Sequence, residues 1–221
     1  MIVDLSHSIS AGRVTYPGLP APEIRPHLTR EESRSVYAPG TEFVMDVITM
    51  IGNTGTYLDA PYHRYADGAD LAQLSLDTLV DLPAIVIHVP DRHRRDVDVA
   101  DLPDVIIRGS AVLIHTGWDR YFGHDRYGVD APFLSSAAAR ALVDAGVALV
   151  GIDSVNIDDM SAEAQGERPA HTALLAHGVH VVEHLTALER VPSTGARFTA
   201  VPPKVERFGT FPVRAFASLP D

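Results

Sequence analysis

Asn53-Thr54-Gly55-Thr56-Tyr57-Leu58-Asp59-Ala60-Pro61-Tyr62-His63 is the stretch from which the rest of this 221-residue sequence is best read. The β-rich run Phe43 to Ile51 precedes it and is predicted to be a strand. That strand would deliver the chain into a turn at Thr54-Gly55-Thr56, where glycine permits a backbone conformation that a β-carbon resists. The polar side chains that follow therefore belong at a strand end. Asp59 and His63 are four residues apart. Pro61 is tolerable if a helical first turn begins near Ala60, which would set carboxylate and imidazole on one face. Such a pair can share one cation. The plainer alternative is a helix-capping Asp59 and a surface His63, and for an isolated Asp-x-x-x-His it has the better claim.

Composition narrows the partners. A formal charge of −11 and a pI near 5.3 argue against nucleic acid or an anionic membrane and leave a small molecule as the expected substrate. There is no cysteine, so disulfides, thiolate nucleophiles and cysteine metal sites are excluded, and a metal must rest on His, Asp, Glu or weaker oxygen ligands. With 46% hydrophobic and 21% charged residues, the chain is expected to fold as one soluble domain over residues 1–221. Met1 to His7 lacks a basic leader with an apolar core, and no apolar run reaches membrane-spanning length, so a cytoplasmic location is expected.

Further strands are predicted at Ala84 to Val89, Ala111 to Thr116, Val147 to Ile152, Val179 to Glu183 and Phe198 to Val201, each bounded by Gly, Pro or Asp. Ser135 to Gly146 reads as a helix with a serine cap and a glycine stop, and a shorter helix is predicted from Pro169 to Ala176. The mixture is α/β with too few helices for a regularly wound sheet.

The second helix carries His171, and the strand Val179-His180-Val181-Val182-Glu183 ends in a carboxylate. Taken alone, His171 reads as a helix-surface residue and Glu183 as a solvated strand end. Period-two alternation, however, sets Glu183 on the face of Val179 and Val181, so it points inward or closes the apolar face at its rim. A buried carboxylate needs a cation or hydrogen-bond donors.

The opening stretch resembles the His-x-Gly-Thr-His-x-Asp-x-Pro-x-His signature of the cyclase family of metal-dependent hydrolases, which includes bacterial kynurenine formamidase and isatin hydrolase. Gly55, Thr56, Asp59, Pro61 and His63 match in register, and the first two histidines fall on Asn53 and Tyr57. Asp4-Leu5-Ser6, Tyr16-Pro17-Gly18, His115-Thr116-Gly117-Trp118-Asp119, Gly151-Ile152-Asp153-Ser154 and Val213-Arg214-Ala215-Phe216-Ala217 resemble further family landmarks in the family order, across essentially the whole chain.

The resemblance implies the family's swivelling β/β/α fold, a mixed central sheet with flanking helices, assembled as a homodimer or homotetramer in which the N-terminal segment with Tyr16, Pro17 and Tyr37 reaches a partner. It also implies that His171 and Glu183 match the remaining metal ligands. Asn53 offers only a neutral amide oxygen, and Tyr57 is a poor ligand unless its phenol ionises. The strong ligands left are Asp59, His63, His171 and Glu183, for zinc or manganese, one ion or none; His63 is assigned the role of base or supporting partner.

The expected activity is hydrolysis of an amide or a cyclic amide or ester by metal-activated water. Catalytic roles are expected for His63, Asp59 and Tyr57, and substrate contacts for Asn53 and Trp118. Two alternatives stay open: a metal-free acid/base cyclase, lactonase or dehydratase with Tyr57 as proton donor, and a non-catalytic binding protein. Specificity is expected from the loops Leu19 to Pro39 and Gly117 to Pro132. The other histidines, including His7, His88, His115, His180 and His184, read as packing or surface residues, and Arg92-His93-Arg94-Arg95 as a solvated loop.

Overall fold

The computed structural model describes residues 1–90 and 93–220. Its organising element is a nine-stranded sheet. In spatial order the strands are β1 (Ile2–Asp4), β13 (Phe216–Ser218), β11 (Arg197–Thr199), β5 (Leu82–His88), β7 (Ala111–His115), β9 (Leu149–Ile152), β10 (His180–Glu183), β4 (Tyr57–Asp59) and β12 (Thr210–Pro212). The four central strands β5, β7, β9 and β10 run parallel, and the flanking strands pair antiparallel.

The parallel centre follows from composition. β7 reads Ala-Val-Leu-Ile-His and is buried throughout, the pattern of a strand covered on both faces. Ala111 and Leu113 join Leu149, Leu58 and Val182 in one core. Val112 and Ile114 join Val150, Ile152 and Val181 in the other, which α2 (Ser136–Ala145) and α3 (Pro169–Ala176) cover. The predicted caps of the first helix are present: the Ala138 N–H donates to Ser135 Oγ at 3.0 Å, and Gly146 closes the helix at φ +73°.

The result is the mixed α/β architecture with a curled sheet and few helices that the resemblance implied. One predicted strand sits elsewhere. Phe43 to Ile51 contracts to β3 (Met45–Thr49), which pairs with β2 (Glu23–Leu28) in a two-stranded arm outside the main sheet. Ile24, Met45 and Ile48 on this arm stay exposed. The helix α1 (Arg30–Ser33) lies between its strands, and β6 (Asp96–Val97) pairs with β8 (Phe133–Leu134) in a third, minimal sheet. Four strands of the main sheet, β1, β4, β12 and β13, were not predicted; each has three residues, too few for a period-two pattern to stand out.

Arg94 pairs with Asp96 and Asp101, and Arg95 with Asp159, so this part of the basic run is tied to acidic neighbours; Arg92 lies outside the described residues. No helix among the described residues is long and apolar enough to cross a membrane.

His180 shows a cost of building a strand this deep. It is buried, its Nε2 meets Thr78 Oγ1 at 2.9 Å, and its Nδ1 has no partner, so burial pushes its pKa down to about 4. A depressed histidine stabilises the fold above its unfolded pKa, and that stability is lost as pH falls from about 6.5 towards 4. His180→Gln is expected to remove about 2 kcal/mol of the stability lost between pH 7 and pH 5. Urea midpoints at the two pH values check this; an equal drop in both proteins counts against it.

Candidate active site

Strand register assembles the site. β4 pairs with β10 so that Asp59 lies opposite Val181 and Tyr57 opposite Glu183, while β12 sets Thr210 opposite Asp59. Cross-strand partners share a sheet face, so Tyr57, Asp59, Glu183 and Thr210 converge on one side. The turn before β4 is pinned from two directions: the Gly55 N–H donates to Thr15 Oγ1 at 3.1 Å, and Thr56 Oγ1 donates to the His184 carbonyl.

After Asp59 the chain makes a single 3₁₀ turn, Pro61–His63, with Pro61 in its first position. The turn returns His63 to Asp59, Nδ1 to Oδ1 at 3.8 Å. It leans on Gly209, where a β-carbon would sit 2.5 Å from the His63 nitrogen. Thr210 Oγ1 donates to Asp59 Oδ1 and lies 2.7 Å from His63 Nδ1. Because that hydroxyl spends its proton on Asp59, it accepts from His63 Nδ1–H and leaves Nε2 with the lone pair.

α3 brings the second histidine. Asp158 is buried, and its carboxylate accepts from the Ala170 and His171 N–H groups at 2.6 and 3.0 Å and from His171 Nδ1 at 2.7 Å. These bonds cap the helix and aim His171 Nε2 at Asp59 Oδ2, 3.5 Å away, and Glu183 Oε1, 3.6 Å away. Burial alone would depress the imidazole, but Asp158, Asp59 and Glu183 raise its pKa to about 10.

Burial pushes Glu183 up to about 7 against the pull of the His171 charge. Both its oxygens are occupied: Oε1 accepts from the Ile157 N–H at 2.6 Å and Oε2 from the Tyr57 hydroxyl. For Asp59, burial is outweighed by the two histidines and Thr210, and its carboxyl lies below the ordinary value.

Asp59 Oδ2 is buried without a hydrogen-bond partner, and one ligand atom each from Asp59, His63 and His171 lie within 4.8 Å of one another. An unpartnered carboxylate oxygen facing two imidazoles suits a divalent cation such as zinc or manganese. The residues therefore fit the metal that the resemblance implied. Glu183 stands beside this trio and is not among its three close ligands.

The site opens into a cleft of about 1020 Å³, lined by Asn53, His63, His171 and Glu183 from the predicted set. Tyr57, expected in catalysis, and Trp118, expected as a substrate contact, do not line the cleft. Tyr57 is fully buried behind Glu183; burial and the neighbouring carboxylates hold its phenol neutral, so it supports that residue instead of facing a substrate. Trp118 packs with Tyr127, Ala131 and Val155, donates its indole N–H to the Tyr127 carbonyl at 2.9 Å, and does not line the cleft. Its turn is held by the buried Asp153 carboxylate, which accepts from Thr116 and Gly117 and so serves local structure.

The Gly117 to Pro132 loop likewise contributes nothing to the cleft, whose outer wall comes from α2, from Gly166 to Arg168 and from α3. Tyr16 lines the cleft of its own chain. Sequence reasoning missed Asp158, Thr210, Asn156 and Arg168. Asn156 and Asp158 follow the quoted Gly151 to Ser154 segment and Thr210 shortly precedes Val213 to Ala217, whereas Arg168 stands near no quoted string.

The Putative cyclase family model matches residues 3–159. The chain belongs to the cyclase family. It is 29% identical over 215 residues to a kynurenine formamidase of Geobacillus thermodenitrificans (strain NG80-2), covering 96% of this chain and 95% of that protein. A kynurenine formamidase of Erythrobacter litoralis (strain HTCC2594) is 30% identical over 158 residues, 72% of this chain and 69% of its own length.

Among solved structures, isatin hydrolase A from Labrenzia aggregata bound to benzyl benzoate aligns with a TM-score of 0.83 at 21% identity, covering 100% of this chain and 94% of that one, a likeness of fold. A potential metal-dependent hydrolase with cyclase activity aligns with a TM-score of 0.76 at 25% identity, over 98% and 96% of the two chains. With these relatives, this cyclase-family chain is a hydrolase.

Proposed function

We propose that this chain hydrolyses the C–N bond of a small amide, an arylformamide or a cyclic amide, with cyclic esters as related substrates. The observation that carries the reading is the unpartnered Asp59 Oδ2 facing His171 and His63 at the inner end of an open cleft. Asp59, His171 and His63 would hold a divalent cation, zinc or manganese, which supplies Lewis acidity to polarise a carbonyl and make water more acidic.

The chain's own residues divide the remaining work. Thr210 fixes the His63 tautomer, so Nε2 keeps the lone pair with which His63 would join Asp59 and His171 on the cation. Asp158 orients His171, and Tyr57 orients Glu183. Asn53, at the cleft wall, is a substrate contact in this reading.

A second reading has its own support. His171 already stands as a cation among Asp158, Asp59 and Glu183, a balance that would suit metal-free acid/base chemistry. Chelation separates the two. In the metal reading, protein purified without an affinity tag, treated with chelator and assayed with N-formylkynurenine or isatin, loses at least about 100-fold in kcat/KM and regains it with zinc or manganese. Activity indifferent to chelator favours the metal-free site; no turnover of any amide sinks the hydrolase reading and leaves a binding protein.

The proposal keeps the cytoplasm as the place of action. It also includes a homodimer or homotetramer, supported by the apolar Ile24, Met45 and Ile48 left exposed on the β2–β3 arm. Light scattering that returns a monomer at working concentration would remove it.

A further inference from the structure

Arg94 and Arg95 of the basic run, and the Gly117 to Pro132 loop, take no part in the cleft, yet they meet each other around a second cavity of about 320 Å³. Val89 and Thr116, the residues that follow β5 and β7, place it just beyond the carboxyl ends of those parallel strands. It shares no lining residue with the cleft. Arg94, Arg95, Arg120 and Arg126 line it, together with Trp118 and Tyr121. Among the described lining residues the only carboxylate is Asp96. Four guanidinium groups around one small cavity reverse, locally, the charge of a chain that carries −11 overall.

These arginines are held in two ways. Arg94 and Arg95 are anchored by carboxylates: Arg94 pairs with Asp96 at 3.6 Å and with Asp101, while Arg95 pairs with Asp159 and donates Nε to the Ala131 carbonyl at 3.2 Å. Arg126 is anchored by aromatic rings instead. Its guanidinium carbon stands 4.4 Å from the centre of the Tyr121 ring and 5.6 Å from that of Trp118, and Arg120 stacks on Tyr121 at 5.2 Å. No carboxylate lies within salt-bridge distance of Arg126 among the described residues. A ring face steadies a guanidinium through its flat side without cancelling its charge, and leaves its N–H edge for a ligand.

We propose that this cavity is a binding site for a phosphate-type oxyanion, free or carried on a small organic molecule, with Arg126 as its principal ligand and the anchored Arg94 and Arg95 as supporting donors. Guanidinium groups from two separate segments of chain approach from different directions. A tetrahedral oxyanion has oxygens enough to meet them together, whereas a planar carboxylate engages one fork at a time. The net charge of the chain opposes an approaching anion, but salt screens that repulsion over about 8 Å at physiological ionic strength, so direct contact decides. The site stands apart from the hydrolase reading and does not depend on it.

The test is calorimetric titration of the whole chain with inorganic phosphate at fixed ionic strength. One saturable site is expected, with a Kd of about 1 mM or tighter, and acetate is expected to bind at least about tenfold more weakly. Arg126→Gln is expected to weaken phosphate binding at least about tenfold and Arg126→Lys less, since an ammonium keeps the charge and loses the fork. Arg25→Gln removes the same charge from the exposed surface of β2 and is expected to leave the affinity unchanged. Phenyl phosphate, titrated in parallel, separates the two sources: tighter binding than inorganic phosphate, lost in Arg126→Gln, assigns the site to an organic phosphate, and the reverse order assigns it to the free ion.

Absence of saturable binding, equal affinity for acetate, an affinity that Arg126→Gln leaves unchanged, or one that Arg25→Gln weakens as much, overturns the inference. Phosphate held in the cleft instead would give the third of these results. Where the heats are too small, emission from Trp118, the only tryptophan of the chain, follows the same titrations. If Arg126→Gln fails to fold, Arg126→Lys carries the comparison, and wild-type affinity in that variant overturns the inference.

Discussion

Asp59→Asn is expected to lower kcat/KM for an arylformamide by at least about 10³, the largest functional effect of any single replacement in this protein. The substitution keeps the size of the side chain and one oxygen for the Thr210 hydroxyl, so the β4–β12 pairing and the 3₁₀ turn of Pro61–His63 should survive. What disappears is a negative charge that faces His171 at 3.5 Å and His63 at 3.8 Å and leaves one oxygen unpartnered. An amide would turn either a donor or a neutral oxygen towards that space, and neither replaces a carboxylate as a cation ligand. The check is steady-state kinetics alongside a thermal melt. A variant that melts like the parent and loses less than tenfold would remove Asp59 from the chemistry.

The second large effect is on stability. His171→Ala is expected to cost about 3–5 kcal/mol, because it removes the cationic partner from three carboxylates that are themselves buried. Asp158 keeps two backbone donors from α3, and Glu183 keeps Tyr57 and the Ile157 N–H, but Asp59 retains only Thr210 and a half-exposed His63. Repulsion among those charges at low dielectric sets the size of the loss. Urea denaturation in chelator measures it; a change below about 1 kcal/mol would mean that the carboxylates are not balanced by this imidazole.

Much of the fold was legible because its centre is strongly patterned. The runs at Ala111 to Thr116 and Val147 to Ile152 are apolar enough that only a doubly covered sheet accommodates them, and the serine and glycine bracketing α2 are local signals with local causes. The Phe43 to Ile51 run misled as to place, since β-propensity says that a segment is extended and not which edge it joins. β4 and β12 escaped because a three-residue strand is defined by its partners.

The site divides along the same line. Asp59 and His63 were readable together because they are four positions apart and a proline starts the turn between. The surroundings of Tyr57 and Trp118 were not legible because a side chain's direction at a strand end or turn depends on its tertiary neighbours: Glu183 for the first, Tyr127 and Val155 for the second.

By itself, then, the sequence determined the chemistry available to this protein: no thiols, a histidine and carboxylate set with asparagine and tyrosine where two family histidines stand, and an acidic surface. Only the tertiary structure decided what those groups do to one another. Register between β4, β10 and β12 brings Asp59, Glu183 and Thr210 to one face, and Asp158 turns His171 towards them. Contacts between residues more than a hundred positions apart are set by packing and strand pairing, which local sequence does not encode.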